Sequence, residues 1–254
     1  MRLKAIAVNT FKEAVRNKVF YLLIVVGILF AFSSHIMGLL TIGDRVKVLK
    51  DVGLAAINFF SILIAIFTGI NLVYKEIDRK TIFNILSKPV SRASFILGKF
   101  FGLSLTLLVA LASMAVIFFL FLWLDAGEFD GRILVFFLLL YLELLIVNAI
   151  SVLFSSFSTP ILASIFTISL YLIGHISWTF NAFKHNLVRP VEKGIAYFFY
   201  YLMPNLEKLN IKNQVVLNTP LDAGVILDSI MYAVCYIAAV LILAILIFNK
   251  KEFQ

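Results

Sequence analysis

Charge is what this sequence has least of. Only 14% of its 254 residues are Asp, Glu, Lys or Arg, where a soluble domain carries about a quarter. With 62% hydrophobic residues and a mean hydropathy of +1.04, that scarcity excludes a soluble globular domain and indicates a polytopic membrane protein. The single cysteine, Cys235, excludes an intramolecular disulfide or a cysteine metal cluster. Lying in an apolar run, it reads as a small buried hydrophobe. The three histidines, His35, His175 and His185, have no ligand spacing such as H-x-x-x-H, so no metal site is expected. G-x-S-x-G, H-E-x-x-H and paired-glutamate protease patterns are all missing, and so is the G-x-x-x-x-G-K-[ST] phosphate loop. The chain is therefore not expected to be an enzyme, nor to hydrolyse ATP through a phosphate loop. Its net charge of +8 gathers at the ends of apolar runs, which argues against nucleic acid as a partner. No cleavable signal peptide is evident, because the first apolar run is long enough to span and follows an amphipathic segment.

What is present is a succession of apolar runs, each near the ~20 residues that cross a bilayer core. They predict six spans: about 19–40, 54–73, 100–124, 133–157, 161–178 and 230–248. A tight uncharged turn, Ser155 to Pro160, separates the fourth from the fifth. Before them, residues 1–18 place Leu3, Ile6, Ala7, Phe11, Ala14 and Val15 opposite Arg2, Lys12, Glu13, Arg16 and Asn17. That pattern predicts an interfacial helix lying apolar face down on the membrane. The fold class expected is thus an all-α membrane protein forming one domain over 1–254. Lys and Arg residues cluster before span 1, between spans 2 and 3, and after span 6, which places both termini inside. The segment 179–227 is the long external loop. Its aromatic run Gly194 to Pro204 is too short to span and suits either a re-entrant hairpin or a surface-lying helix.

Polar groups inside the spans mark two faces. Asn58, Ser61, Ala65, Thr68 and Asn71 recur at three- and four-residue steps in span 2. Ser164, Thr167 and Tyr171 do so in span 5, with His175 beside them. Such faces avoid lipid and point at protein or water, so they read as packing contacts, as a pathway, or as a subunit interface. Glu143 sits near the middle of span 4, where a charged carboxylate is costly. It is either a structural hydrogen-bonding group or a proton carrier, with no partner identifiable from sequence; His175 is expected nearer the external surface. Asn148, Ser151 and Ser155 fall on another face of span 4.

The longest polar interruption in the first half of the chain is 74–99. Here Ile82, Ile85 and Leu86 share one side of a short helix, with Glu76 and Arg79 three residues apart. Pro89 ends that helix, and Ser91 caps the next. The segment is longer than a plain connection needs, which favours a docking surface over a solvated loop.

Together these residues resemble a known family, the permease subunits of bacterial type-2 ATP-binding-cassette (ABC) exporters. The resemblance spans nearly the whole chain. It rests on the N-terminal NTFKEAVRNKVF, the six spans, and the pattern E-x4-T-x4-L-x2-P-x2-R-x5-GK at Glu76, Thr81, Leu86, Pro89, Arg92, Gly98 and Lys99. The MPNLEKLN segment at 203–210 and the basic end FNKKEF complete it. The chain looks most like the single-domain permeases related to the one that serves nitrous oxide reductase maturation. The resemblance implies a homodimer working with two separate cytoplasmic ABC ATPase subunits, which hold the ATP and Mg, in the bacterial inner membrane. It implies that 74–99 carries the cytoplasmic coupling helix, with Arg92 among its residues. Spans 2 and 5 of the two copies would line the pathway, and 179–227 could meet a periplasmic protein. Few His, one Cys and five unclustered Met depart from what copper handling would require. The competing reading is an ion-driven secondary transporter with Glu143 as proton carrier.

Overall fold

The computed structural model describes residues 2–40, 43–78, 91–127, 130–183 and 203–250, with side chains described for all of these except 2, 71–78, 125–126 and 177–183. Every regular element in them is helical: α1 (Arg2–Val15), α2 (Lys18–Leu40), α3 (Arg45–Asp78), α4 (Arg92–Ala126), α5 (Gly131–Phe157), α6 (Pro160–Phe183), a 3₁₀ turn (Leu206–Leu209), α7 (Lys212–Val216) and α8 (Ala223–Lys250). Five of these, α2, α3, α4, α5 and α8, are long and apolar enough to cross a membrane. The expected fifth span corresponds to α6, a helix of 24 residues whose side chains are described as far as Ile176. Five of the six expected spans are thus matched by helices long and apolar enough to cross among the described residues.

Local sequence explains the helix starts. Asn17 Oδ1 accepts from Val19 N–H at 3.0 Å. Ser91 takes an extended conformation and accepts from Ser94 N–H, as its capping chemistry predicts. Asp130 accepts from Arg132 N–H at 3.1 Å. Pro160 opens α6, at the helix position where its missing N–H costs nothing.

The central post is α5. It packs on α3, α4, α6 and α8 and is buried through most of its length. Two polar bridges fasten it to α4: Asn148 Nδ2 donates to Phe100 O and Ser104 Oγ, both at 3.2 Å, and Tyr141 Oη donates to Ser104 O at 3.1 Å. In hydrocarbon such groups find protein partners because lipid offers none. By contrast α2 and α8 lie at the margin and turn most of their surface outward. Cys235 on α8 is exposed, not buried as expected. An apolar run in a marginal span is apolar all round because lipid, not protein, covers one side.

The N-terminal helix α1 has a protein neighbour that the sequence did not identify. It packs along α4, with Thr10 and Ala14 buried and Lys4, Val8, Asn9 and Lys12 exposed. The contact forms where α4 carries Gly98 and Gly102, one helical turn apart. A Cβ on Gly102 would lie 2.5 Å from Ala7 O, and one on Gly98 would lie 2.7 Å from Ile6 Cγ2. Small residues at this spacing let helix backbones approach within a membrane protein. The apolar face of α1 is therefore partly covered by α4, with Leu3, Ile6, Ala7, Phe11 and Val15 half-buried.

At the opposite end, a clamp joins α3, α5 and the segment after α7. Lys50 Nζ donates to Asp130 Oδ2 at 2.7 Å and to Asn218 Oδ1 at 3.1 Å. Arg132 donates to Asp130 Oδ1 at 2.9 Å and to Asn218 Oδ1 at 3.0 Å. Asn218 holds φ at 57°, a left-handed conformation that asparagine tolerates. Burial alone would raise the Asp130 carboxyl. The hydrogen bonds from Arg132 and Lys50 outweigh it and hold the group at about 2. A depressed carboxylate stabilises the fold above its unfolded value, ~3.9, and that stabilisation fades as pH falls toward the folded value. Asp130→Asn is expected to lower stability at neutral pH by about 1.5–3 kcal/mol, the range for hydrogen bonds to charged groups. The deficit should close as pH drops from about 4 to about 2. Thermal unfolding in detergent across that range checks both statements.

Candidate functional site

The functional candidates converge on the centre of the α5–α6 hairpin. Both helices run away from the Ser158–Thr159 turn, and Glu143 and His175 are each sixteen residues from Thr159. At a rise of ~1.5 Å per residue they reach the same depth, and they meet: His175 Nε2 lies 2.9 Å from Glu143 Oε1. His175, expected nearer the external surface, is thus the partner that Glu143 lacked in the sequence. The other ring nitrogen, Nδ1, lies 3.2 Å from Glu207 Oε2. Glu143 is buried, its side chain 1% exposed, whereas that of Glu207 is 37% exposed. Tyr171, one turn before His175, sets its ring edge-on to the imidazole at 4.8 Å.

Glu207 arrives from a segment that plugs the bundle. Leu206, Leu209 and Val215 are fully buried. Leu206 and Pro204 O occupy a notch at Gly174, where a Cβ would come within 2.9 Å of both. The plug is held from α8 as well: Tyr232 Oη accepts from Asn205 N–H at 2.7 Å, and Ser229 Oγ donates to Lys208 O at 2.8 Å. The Lys208 ammonium sits over the Tyr232 ring at 5.0 Å. Asn210 Nδ2 donates to Glu207 at 3.2 Å and orients its carboxylate. MPNLEKLN, noted in the sequence only as a family pattern, is therefore a cap wedged between α6 and α8.

The two polar faces are buried within this chain to different degrees. Ser61, Thr68 and Thr167 are buried, Asn58 and Ser164 half-buried. Their hydroxyls are satisfied locally: Thr68 donates to Ile64 O at 2.6 Å, Thr167 to Ala163 O at 2.7 Å, Ser164 to Pro160 O at 2.7 Å, and Ser61 contacts Met114 Sδ at 3.7 Å. α3 and α6 pack on each other within the chain. The side chains of Asn71 and Glu76 lie outside the described residues, as do Arg79, Ile82, Ile85, Leu86 and Pro89 and the aromatic run before Met203. Arg92 is described, and its guanidinium donates to Phe248 O and Asn249 O at 2.9 and 3.0 Å. A cation there satisfies the last carbonyls of α8 and complements its dipole. Beside it, Phe95 and Phe248 stack at 5.5 Å. No group of three or more His, Cys, Asp or Glu able to hold a metal occurs among the described residues.

The sequence reading missed Glu207 entirely. Its only sequence signal is an acid within a pattern otherwise suited to burial, since Leu206 and Leu209 flank it at helical spacing. Compared with known proteins, the chain matches the family model described as ABC-2 family transporter protein over residues 4–253. No curated protein matches it.

Proposed function

We infer, from the premise that this chain belongs to the ABC-2 family of transporter proteins, that it is the membrane permease of an ATP-driven exporter, paired with a second copy of itself and with two cytoplasmic ATPase subunits. The match over 4–253 is the observation that carries this reading. A multi-pass permease of this family works with an ATPase partner, and the loop between α3 and α4 is our candidate docking surface. α3 ends and α4 begins at the end where α1, Arg92 and the α8 terminus gather. Lys4, Lys12, Arg16, Lys18 and Lys250 lie at that end as well, which supports a cytoplasmic assignment under the positive-inside rule. At the other end, Lys50 and Arg132 are answered by Asp130, and Lys212 by Asp51 at 2.9 Å. The bacterial inner membrane, cytoplasmic termini, and kinship with the nitrous oxide reductase maturation permease belong to the same proposal, as does a periplasmic protein at the cap.

The test is copurification of the ATPase subunit from detergent. Leu86→Asp is expected to leave the permease in the membrane and abolish ATPase recovery, since losing an interface anchor costs on the order of 1–3 kcal/mol and a buried carboxylate adds to that. Wild-type recovery with Leu86→Asp would overturn the assignment of the loop. Transport by the chain without any ATPase would favour the ion-driven reading instead.

A further inference from the structure

Two hydrogen bonds run through the imidazole of His175, and each needs a proton. Glu143 Oε1 faces Nε2, and Glu207 Oε2 faces Nδ1. Either both ring nitrogens donate, or one carboxyl donates to the ring. In both cases the three groups share two protons and a net charge of −1. With one proton fewer, an imidazole lone pair meets a carboxylate at one end, and that bond is lost.

The two ends are not equally secure. Glu143 is enclosed on the central helix α5, while Glu207 rides on a four-residue turn with its side chain 37% exposed. Glu207 is also the most exposed of the three side chains, so a proton leaves or returns at that end. The ionisable groups facing His175 are Glu143 from α5, Tyr171 from its own helix and Glu207 from the turn. From α3, Lys50 and Asp51 are engaged with Asp130 and Lys212. On the α8 side the Lys208 ammonium lies against Tyr232.

We propose that Glu143, His175 and Glu207 form a proton-operated latch. With two protons in the chain it holds the Leu206–Leu209 turn in the Gly174 notch; with one it releases the turn. Release opens the cap end of the α5–α6 pair to water and bares the face of α6 that bears Tyr171 and, below it, Thr167. One proton passes to solvent on opening and returns on closing.

Glutamine at position 207 separates this latch from simple packing. Its amide donates to an unprotonated Nδ1 as readily as it accepts from a protonated one. A neutral imidazole that donates to Glu143 therefore remains latched. The experiment is amide hydrogen exchange of the full chain in lipid nanodiscs, corrected for intrinsic exchange, following peptides over 203–217. In the wild type, protection there should fall at least about tenfold between about pH 6 and about pH 9. Glu207→Gln should hold its protection over the same range. His175→Phe, which keeps a ring against Tyr171 but has no nitrogens, should be unprotected at every pH. Wild-type protection that is independent of pH would overturn the proposal, as would a Glu207→Gln profile that follows the wild type. If His175→Phe also loses protection in α4 and α5, the chain has unfolded more widely, and the wild-type and Glu207→Gln profiles decide.

Discussion

Replacing His175 by leucine is expected to destabilise the protein by about 3–5 kcal/mol, the cost of leaving one member of a buried ion pair without its partner. Glu143 lies at mid-span on a helix packed by four others, so neither water nor lipid can take over the lost bond. The same reasoning predicts that the double change Glu143→Leu and His175→Leu recovers much of the loss. An apolar pair of suitable volume carries no desolvation cost, and replacements of buried ion pairs are often neutral. The pair is thus expected to be worth little in net stability while each member is indispensable to the other. Thermal unfolding of the single and double variants in one detergent is the measurement. A double variant no more stable than His175→Leu would mean that Glu143 finds compensation elsewhere, and that His175 contributes by packing.

Replacing Gly102 by leucine should detach α1 from the bundle. A Cβ there would come within 2.5 Å of Ala7 O and 2.6 Å of Thr10 Cβ. Ala7 O is backbone, so the helix as a whole must move. Overpacking a tight contact costs about 1–3 kcal/mol even where side chains can yield. At 14 residues, α1 is too short to hold its helix in water without tertiary contacts. The expected outcome is rapid hydrogen exchange through residues 2–15 in Gly102→Leu, with α5 still protected. Gly102→Ala should show a smaller effect of the same sign. Unchanged protection in Gly102→Leu would show that α1 draws its stability from the membrane surface, as the amphipathic pattern alone suggests.

Much of this architecture was legible in the sequence. A helix in lipid must satisfy its own backbone and show an apolar exterior, and both demands are written residue by residue. The apolar runs therefore located the helices, closely at α2 and α5, while α3, α4, α6 and α8 extend further. Ser91, Asp130 and Pro160 mark helix starts through chemistry confined to one turn. What the sequence could not decide was what covers each face. Lipid and the interior of a helical bundle are equally apolar, so Cys235 and the apolar side of α1 read alike whether they meet lipid or protein. The polar faces of α3 and α6 had the same ambiguity: Ser61, Thr68 and Thr167 are buried within this chain, while Asn58 and Ser164 are half-buried. The symmetry of Glu143 and His175 about Thr159 was present in the sequence, but it says that two groups share a depth, not that they face each other. Glu207 was harder still. It lies 32 residues beyond His175, and only the folding of the cap back between α6 and α8 brings its carboxylate to the imidazole. The sequence by itself determined which segments are helical and that they belong in a membrane, because those follow from local composition and period. The tertiary structure alone decided that a buried acid, an imidazole and a cap carboxylate form one chain, because that depends on which helix faces meet.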